Sequence, residues 1–213
     1  MRKIFSVLLI FVLAASFSAC GSTATPKDTA EKFLTAVKAK DAEGIRTVYD
    51  GSYSEDELIG TVESLLGESE EKDADDEATK QFEEKLFDFD YTIGEERVDG
   101  ENAEVDVTFK TYDFGTMLGQ YLQRAMTELF SAAFSGASEE EIDTIGTRIL
   151  EEELINLTEK SYEKTVPMKL TKVEGEWKVA KIEDDSEFLN AMFGGMIDIV
   201  KEFEKFGDSL SGD

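Results

Sequence analysis

From residue 26 to residue 66, apolar positions recur every three or four residues, the spacing of helices that each bury one face. Thr25-Pro26-Lys27-Asp28 places a capping residue before a proline at the first helical position. Ala30, Phe33, Leu34 and Val37 then fall on one side. A second short helix follows Asp41, with Ile45, Val48 and Tyr49 inward, and a third begins at the capping box Ser54-Glu55-Asp56-Glu57 and carries Leu58, Val62, Leu65 and Leu66. Residues 68–77 are the most acidic stretch and have no apolar period. They read as an exposed loop that leads into a helix with Phe82 and Leu86 inward.

The period then changes to two. Phe87, Phe89, Tyr91 and Ile93 alternate with Asp88, Asp90 and Thr92. After the turn pair Asp99-Gly100, the residues Ala103, Val105, Val107 and Phe109 alternate with Glu104, Asp106, Thr108 and Lys110, which predicts a β-hairpin with one buried face. Residues 115–160 return to helix as a pair. The first has a wide apolar stripe from Met117 to Phe134 and stops at Ser135-Gly136; the second is capped by Ser138 and carries Ile142, Ile145, Ile149, Leu154 and Leu157. Two more strands, Tyr162 to Val173 and Glu176 to Ile182, turn at Glu174-Gly175. Trp177 is expected on the sheet face that packs against the opening helices. A last helix, residues 186–206, carries Phe188, Leu189, Met192, Phe193, Met196, Ile197, Val200 and Phe203. Gly194-Gly195 in its middle predicts a kink or a close approach, and the helix is expected to dock on the pair at 115–160. The pattern as a whole predicts an α+β fold forming a single domain over residues 26–213: N-terminal helices on an antiparallel sheet of about four strands, with a helical-pair insertion and a C-terminal helix.

Composition narrows the chemistry. The chain has 213 residues, 48 of them acidic and 22 basic, for a formal charge of −26, with no histidine and one cysteine. The absence of histidine removes Ser-His-Asp and Cys-His catalysis and almost every ordinary zinc or iron site. The negative charge argues against nucleic acid, whose binding is driven by Lys and Arg on phosphates. It equally argues against a polybasic grip on anionic lipid.

The first twenty residues speak to location. Arg2 and Lys3 precede an apolar run, Ile4 to Phe17, shorter than the roughly 20 residues a bilayer-spanning helix needs and of the length of a signal-peptide core. Phe17-Ser18-Ala19-Cys20-Gly21 resembles the bacterial lipobox, with Phe17 where leucine is usual; the resemblance implies cleavage before Cys20 and acylation of its thiol. Residues 1–19 are thus expected to be a lipoprotein signal peptide, residues 20–25 a short tether in which Gly21 to Thr25 span at most about 18 Å, and the protein to be held by Cys20 on the extracytoplasmic face of a bacterial cell membrane.

Thr29-Ala30-Glu31-Lys32-Phe33-Leu34-Thr35-Ala36-Val37-Lys38, the segment Asp41 to Tyr49, and Lys172-Val173-Glu174-Gly175-Glu176-Trp177-Lys178-Val179 together resemble the nuclear transport factor 2-like (cystatin-like, cone-shaped) superfamily, in its bacterial lipoprotein branches of unknown function. The resemblance implies that the sheet is curved around the helices and leaves a pocket at the wide end of the cone. The insertion and the final helix depart from the family pattern, in places where they would fill or roof that pocket. Superfamily members include enzymes, carriers and adaptors, so activity does not follow from the fold.

One isomerase of that superfamily works with an Asp base and a Tyr or protonated Asp as oxyanion donor. Asp88, Asp90, Asp106, Tyr91 and Tyr112 are the residues of this chain that offer such a set. Alternation places the three acids on the solvent face and Tyr91 in the core, so no catalytic residue is assigned. Calcium is the natural ion for an acidic, histidine-free extracellular chain. The densest carboxylates, Asp73 to Glu77 and Asp184-Asp185-Ser186-Glu187, read instead as a solvated loop and a helix start, leaving only weak, adventitious binding; no metal and no cofactor are expected. The stripes at 117–134 and 188–203 read as core, with a groove for an apolar small molecule or a protein partner as the alternative. The expected function is a lipid-anchored binding or interaction module. The alternative is a small acid/base enzyme using Asp and Tyr in a cone pocket.

Overall fold

Thr25 caps the first helix, α1 (Pro26–Lys38): its Oγ1 accepts from the Asp28 amide at 3.2 Å while the Asp28 carboxylate accepts from the Thr25 amide at 2.8 Å. The computed structural model in which this is seen describes residues 24–50, 77–183 and 186–211. Cys20, the helix expected from Ser54, Asp73 to Asp76 and Asp184-Asp185 lie outside those residues. The apolar side of α1 is buried as its spacing requires, with Ala30, Phe33, Leu34 and Val37 at most 2% exposed. Asp41 then caps α2 (Ala42–Val48) by accepting from the Gly44 amide. The chain leaves α2 through Tyr49, whose ring stacks on Phe33 at 5.6 Å and whose hydroxyl accepts from the Ile182 amide at 2.7 Å.

Helix α3 (Glu77–Phe87) buries Phe82 and Leu86. Phe87 was expected to open a strand but is the last residue of this helix. The Asp88 amide still reaches back to the Glu84 and Lys85 carbonyls, so the helical ladder runs on until Phe89 turns into the core. Strands β1 (Asp90–Asp99) and β2 (Asn102–Thr111) form the expected hairpin, joined at Gly100 with φ of 61°, and a bulge shifts register between Ile93 and Glu96. Two helices follow, α4 (Phe114–Ser135) and α5 (Glu139–Asn156), the latter opened by the Ser138–Glu141 capping box. The sheet resumes with β3 (Tyr162–Val173) and β4 (Glu176–Val179), in the order β1-β2-β3-β4 with every neighbour antiparallel. Glu174 and Gly175 both have positive φ, which suits the twist of this two-residue connection. Expected to reach Ile182, β4 stops at Val179, beyond which the Ile182 amide is taken by Tyr49 rather than by a strand.

The architecture is α+β: helices packed against a four-stranded antiparallel sheet, closed by a C-terminal helical segment. One sheet face carries Val105, Val107, Phe109, Val166, Met168 and Leu170, all at most 2% exposed, and α1 and the C-terminal segment cover it. Trp177 lies at the margin of this face, half-buried rather than enclosed, with Lys172 Nζ 5.0 Å above its ring and its carbonyl accepting from Thr29 Oγ1 at 3.5 Å.

The C-terminal segment is two helices, not one: α6 (Glu187–Met192) and α7 (Met196–Ser211). Gly194 and Gly195, at φ of 56° and 82°, break the ladder between them. The Gly115 amide donates to the Gly194 carbonyl at 2.9 Å, so the expected close approach falls at the first turn of α4. Preceded by glycine, α7 has no adjacent side chain to cap it, and Asn190 supplies that function from α6. Its Oδ1 accepts from the Asp198 amide at 3.1 Å, and its Nδ2 donates to the Asp198 carboxylate at 2.7 Å. Asn190 is 3% exposed, so Asn190→Ala leaves a buried helix start unsatisfied and is expected to cost about 1–3 kcal/mol. Urea denaturation checks this; an unchanged midpoint would show that water replaces the amide.

Candidate functional site

Asp88, Asp90 and Tyr112 do meet, where α3 leads into β1 and β2 leads out toward α4. At their centre is Lys160, from the segment between α5 and β3, which the sequence reading did not single out. Lys160 Nζ donates to Asp88 Oδ1 at 2.8 Å and Asp90 Oδ2 at 3.1 Å, and the Tyr112 hydroxyl donates to Asp88 Oδ2 at 3.2 Å. Lys38 adds a longer contact to Asp90 at 3.5 Å, and Lys85 Nζ stands 4.6 Å over the Tyr112 ring. Lys160 is an ordinary loop lysine in sequence, and only the chain's return past β1 gives it these partners.

The electrostatics of the cluster suit a clamp. The Lys160 hydrogen bond holds Asp90 below the ordinary carboxylate range. Burial opposes the charge on Lys160, but its hydrogen bonds to Asp88 and Asp90 outweigh that and raise its pKa. Burial, then the charge of Asp88, pushes Tyr112 up, so it stays a protonated donor. A general base needs a pKa brought toward neutrality, and Asp90 moves the other way. The remaining candidates sit apart: Tyr91 shares a hydrogen bond with Thr35 at 3.0 Å, and Asp106 is gripped by both Arg97 guanidinium nitrogens at 2.6 and 2.8 Å.

A pH dependence follows. Asp90, Asp28 and Asp106 bind protons more weakly folded than unfolded, the last two through the Thr25 amide and the Arg97 guanidinium. The stability they contribute is complete above the unfolded value of about 4 and is lost as pH falls through the lower folded values. Lys160 has the opposite sign: its contribution is complete below about pH 10.4 and is lost as pH rises through the folded value. Melting temperature is expected to fall at both extremes, and Asp90→Asn to flatten the acid limb. An acid limb identical in parent and variant would contradict the clamp.

The apolar stripe of α4 divides in two. Its first turns are core, with Phe114 0%, Met117 5% and Ala125 8% exposed, while Met126, Leu129, Phe130 and Phe134 are 39%, 37%, 61% and 90% exposed. The C-terminal stripe divides likewise: Phe188 to Ile197 pack inside, and Phe203 and Phe206 are 45% and 49% exposed. The expectation that both stripes are core therefore holds for their near halves only. Helix α4 packs on α5 and α7 rather than on the sheet, so its far end stands clear of the strands. Arg124 and Glu128 are the only charged residues among the 22 of α4. Arg124 pairs with Glu153 at 2.6 Å and with Glu152, and Arg148 pairs with Glu152 at 3.0 Å and with Glu128. This network fastens α4 to α5; Glu153 is buried at 6% exposed, and Arg124, Glu128, Arg148 and Glu152 stay partly exposed. Glu152 is held below the ordinary range by Arg124 and then Arg148.

Among the described residues, no three His, Cys, Asp or Glu side chains are placed to hold a metal ion, and no helix is long and apolar enough to cross a membrane. A shallow depression on α3 is lined by Glu77, Lys80, Gln81 and Glu84, four polar side chains of a single helix. Glu187, the described member of the second acidic run beside Ser186, sits in the first turn of α6.

No protein-family profile matches the sequence, and no curated protein matches it. Among solved structures, the chain is similar to that of a putative lipoprotein, ycdA, from Bacillus subtilis, at 19% identity and a TM-score of 0.49. The similarity covers 81% of this chain and 57% of that one, so this chain spans little more than half of that protein's length. At this level the likeness assigns neither ligand nor activity.

Proposed function

We propose that this chain is a lipid-anchored extracytoplasmic interaction module, without catalytic function, whose contact surface is the exposed apolar side of the far half of α4 together with the outer face of α7. The observation that carries this reading is the exposure of Met126, Leu129, Phe130, Phe134, Phe203 and Phe206 on two helices that pack together. With a phenylalanine side chain near 200 Å², they leave roughly 600 Å² of apolar surface in water, the upper end for a monomer with nothing to bind. On α4, depleted charge with aromatic and methionine enrichment is the composition of an interface centre; on α7, Phe203 and Phe206 stand among exposed Glu202, Glu204 and Lys205.

The proposed anchor precedes α1, which starts at the end of the sheet opposite to the start of α4. Cys20 holds the chain by a short tether to Thr25, and α1 begins beside Glu96 and the Trp177 carbonyl, toward the hairpin-turn end of the sheet. Helix α4 leaves from the opposite end, just after Thr111. An acid/base enzyme gains no support, because Asp88, Asp90 and Asp106 are all engaged by cations.

Cys20→Ser tests the anchor. The variant is expected to leave the membrane fraction, or to stay there at unprocessed mass. Membrane fractionation at the processed mass would show that the thiol is not the attachment point.

A further inference from the structure

We infer that α4, α5 and α7 form one rigid unit that pivots on a single neck against the rest of the domain, the body, with Lys85 and Lys160 as the latch that holds it. The pivot does not depend on the interaction-module reading, but it places that reading's contact face entirely on the moving unit. The chain passes between body and unit three times, over residues 112–114, 157–162 and 193–196. All three crossings meet. The Gly115 amide donates to the Gly194 carbonyl at 2.9 Å, Thr111 pairs with Tyr162 in the sheet, and a methyl group on Gly195 would lie 3.2 Å from the Tyr162 ring. Hinges are such element-terminal residues, gathered where few chain segments cross.

Beyond the neck the unit is held largely by itself. Helix α4 packs on α5 and α7, and α5 also packs on α3. Phe114, Met117, Leu154, Met196 and Ile197, all near the neck, join the core of the body, whereas Ala125 and Ile149 are buried outside it. Arg124 and Arg148 brace α4 against α5 over that outer stretch. At the neck, backbone lies on backbone: a methyl group on Gly115 would stand 2.9 Å from the Gly195 carbonyl oxygen. Such a contact has no interdigitating side chains to resist a turn, so polar bonds set the angle. Tyr112, on the way in, donates to Asp88, and Lys160, on the way out, donates to Asp88 and Asp90. Lys85 donates to the Leu157 carbonyl at 2.8 Å and faces the Tyr112 ring. Entry and exit of the helical pair are thus both fastened to the junction of α3 with β1. The Asp88 and Asp90 side chains are 50% and 59% exposed, so water can take over these bonds as the unit turns.

The test is a spin-label distance measurement by double electron–electron resonance on the purified full-length chain. Cys20→Ser leaves only two introduced thiols to label. Val98→Cys reports from the body and Phe134→Cys from the tip of the unit, both exposed positions. One narrow distance is expected with the latch intact, and a broadened or shifted distribution in Lys85→Gln with Lys160→Gln. Arg97→Gln, which removes ion pairs within the β1–β2 hairpin, is expected to leave the distance as it is. Labels at Phe134→Cys and Phe203→Cys, both on the unit, are expected to keep one distance in every variant. An unchanged separation of positions 98 and 134 in the lysine variant overturns the inference. An equal change in Arg97→Gln, or any change between positions 134 and 203, also overturns it, since either means general loosening rather than a pivot. A lysine variant that does not melt cooperatively overturns it too, because body and unit must both survive release of the latch. The interaction-module reading is untouched by these outcomes, since the sample contains no partner.

Discussion

Truncation after Glu183 is expected to yield a chain that does not fold. The lost segment supplies Phe188, Leu189, Ala191, Met192, Phe193, Met196 and Ile197, each at most 6% exposed. The Phe188 ring meets Phe109 edge-on at 5.2 Å, and α6 lies across β2 and β3. Burying a large apolar side chain contributes about 1.5–3 kcal/mol, so the segment outweighs the roughly 5–15 kcal/mol by which a domain is stable. Removing it also bares the sheet face that α1 alone cannot cover. Circular dichroism with a thermal scan decides the matter. A cooperative melt near that of the parent would mean that the C-terminal helices are an appendage and not part of the core.

Gly194→Ala is expected to be the most damaging single substitution, at about 3 kcal/mol or more. Two costs add. The backbone at φ of 56° is in the left-handed region, unfavourable for alanine by about 1–2 kcal/mol. A methyl group there would also lie 2.0 Å from the Tyr112 carbonyl oxygen and 3.1 Å from the Phe114 amide nitrogen, both backbone atoms that cannot swing aside. Gly195→Ala should be milder, because its added carbon meets the Tyr162 ring at 3.2 Å. A melting temperature lower by roughly 6–12 °C is expected for Gly194→Ala, with Gly195→Ala between it and the parent. Equal effects at the two positions would mean that conformation, not the contact with Tyr112, sets the cost.

Much of this fold is written locally. Thr25 and Ser138 announce their helices because capping needs only three neighbouring residues. Val105, Val107 and Phe109 announce their strand because alternation follows from the pleat. Phe87 misleads because it satisfies both periods, and the choice falls to backbone bonds from Asp88 that no pattern displays. Gly194-Gly195 signals a close approach, yet that it ends one helix and begins another depends on Tyr112 and Gly115, some eighty residues earlier. The candidate site is the least legible part. A stripe from Met117 to Phe134 has one periodicity throughout, and where the neighbouring helices stop covering it is decided by elements distant in sequence. Lys160 is hidden for the same reason, since its partners Asp88 and Asp90 reach it only through the fold.

The exposed, uncharged end of α4 is proposed to be covered by a partner on the cell surface. Labelling by a membrane-impermeant maleimide tests it most directly, on whole cells stripped of any outer layer, with Val98→Cys and Phe134→Cys in the full-length chain. Val98 and Phe134 are both exposed in the isolated chain, at 54% and 90%. Val98→Cys is expected to react on the cell while Phe134→Cys is protected, and the protection to disappear once the membrane is solubilised and diluted. Phe134→Cys reacting on the cell as fast as Val98→Cys would contradict it.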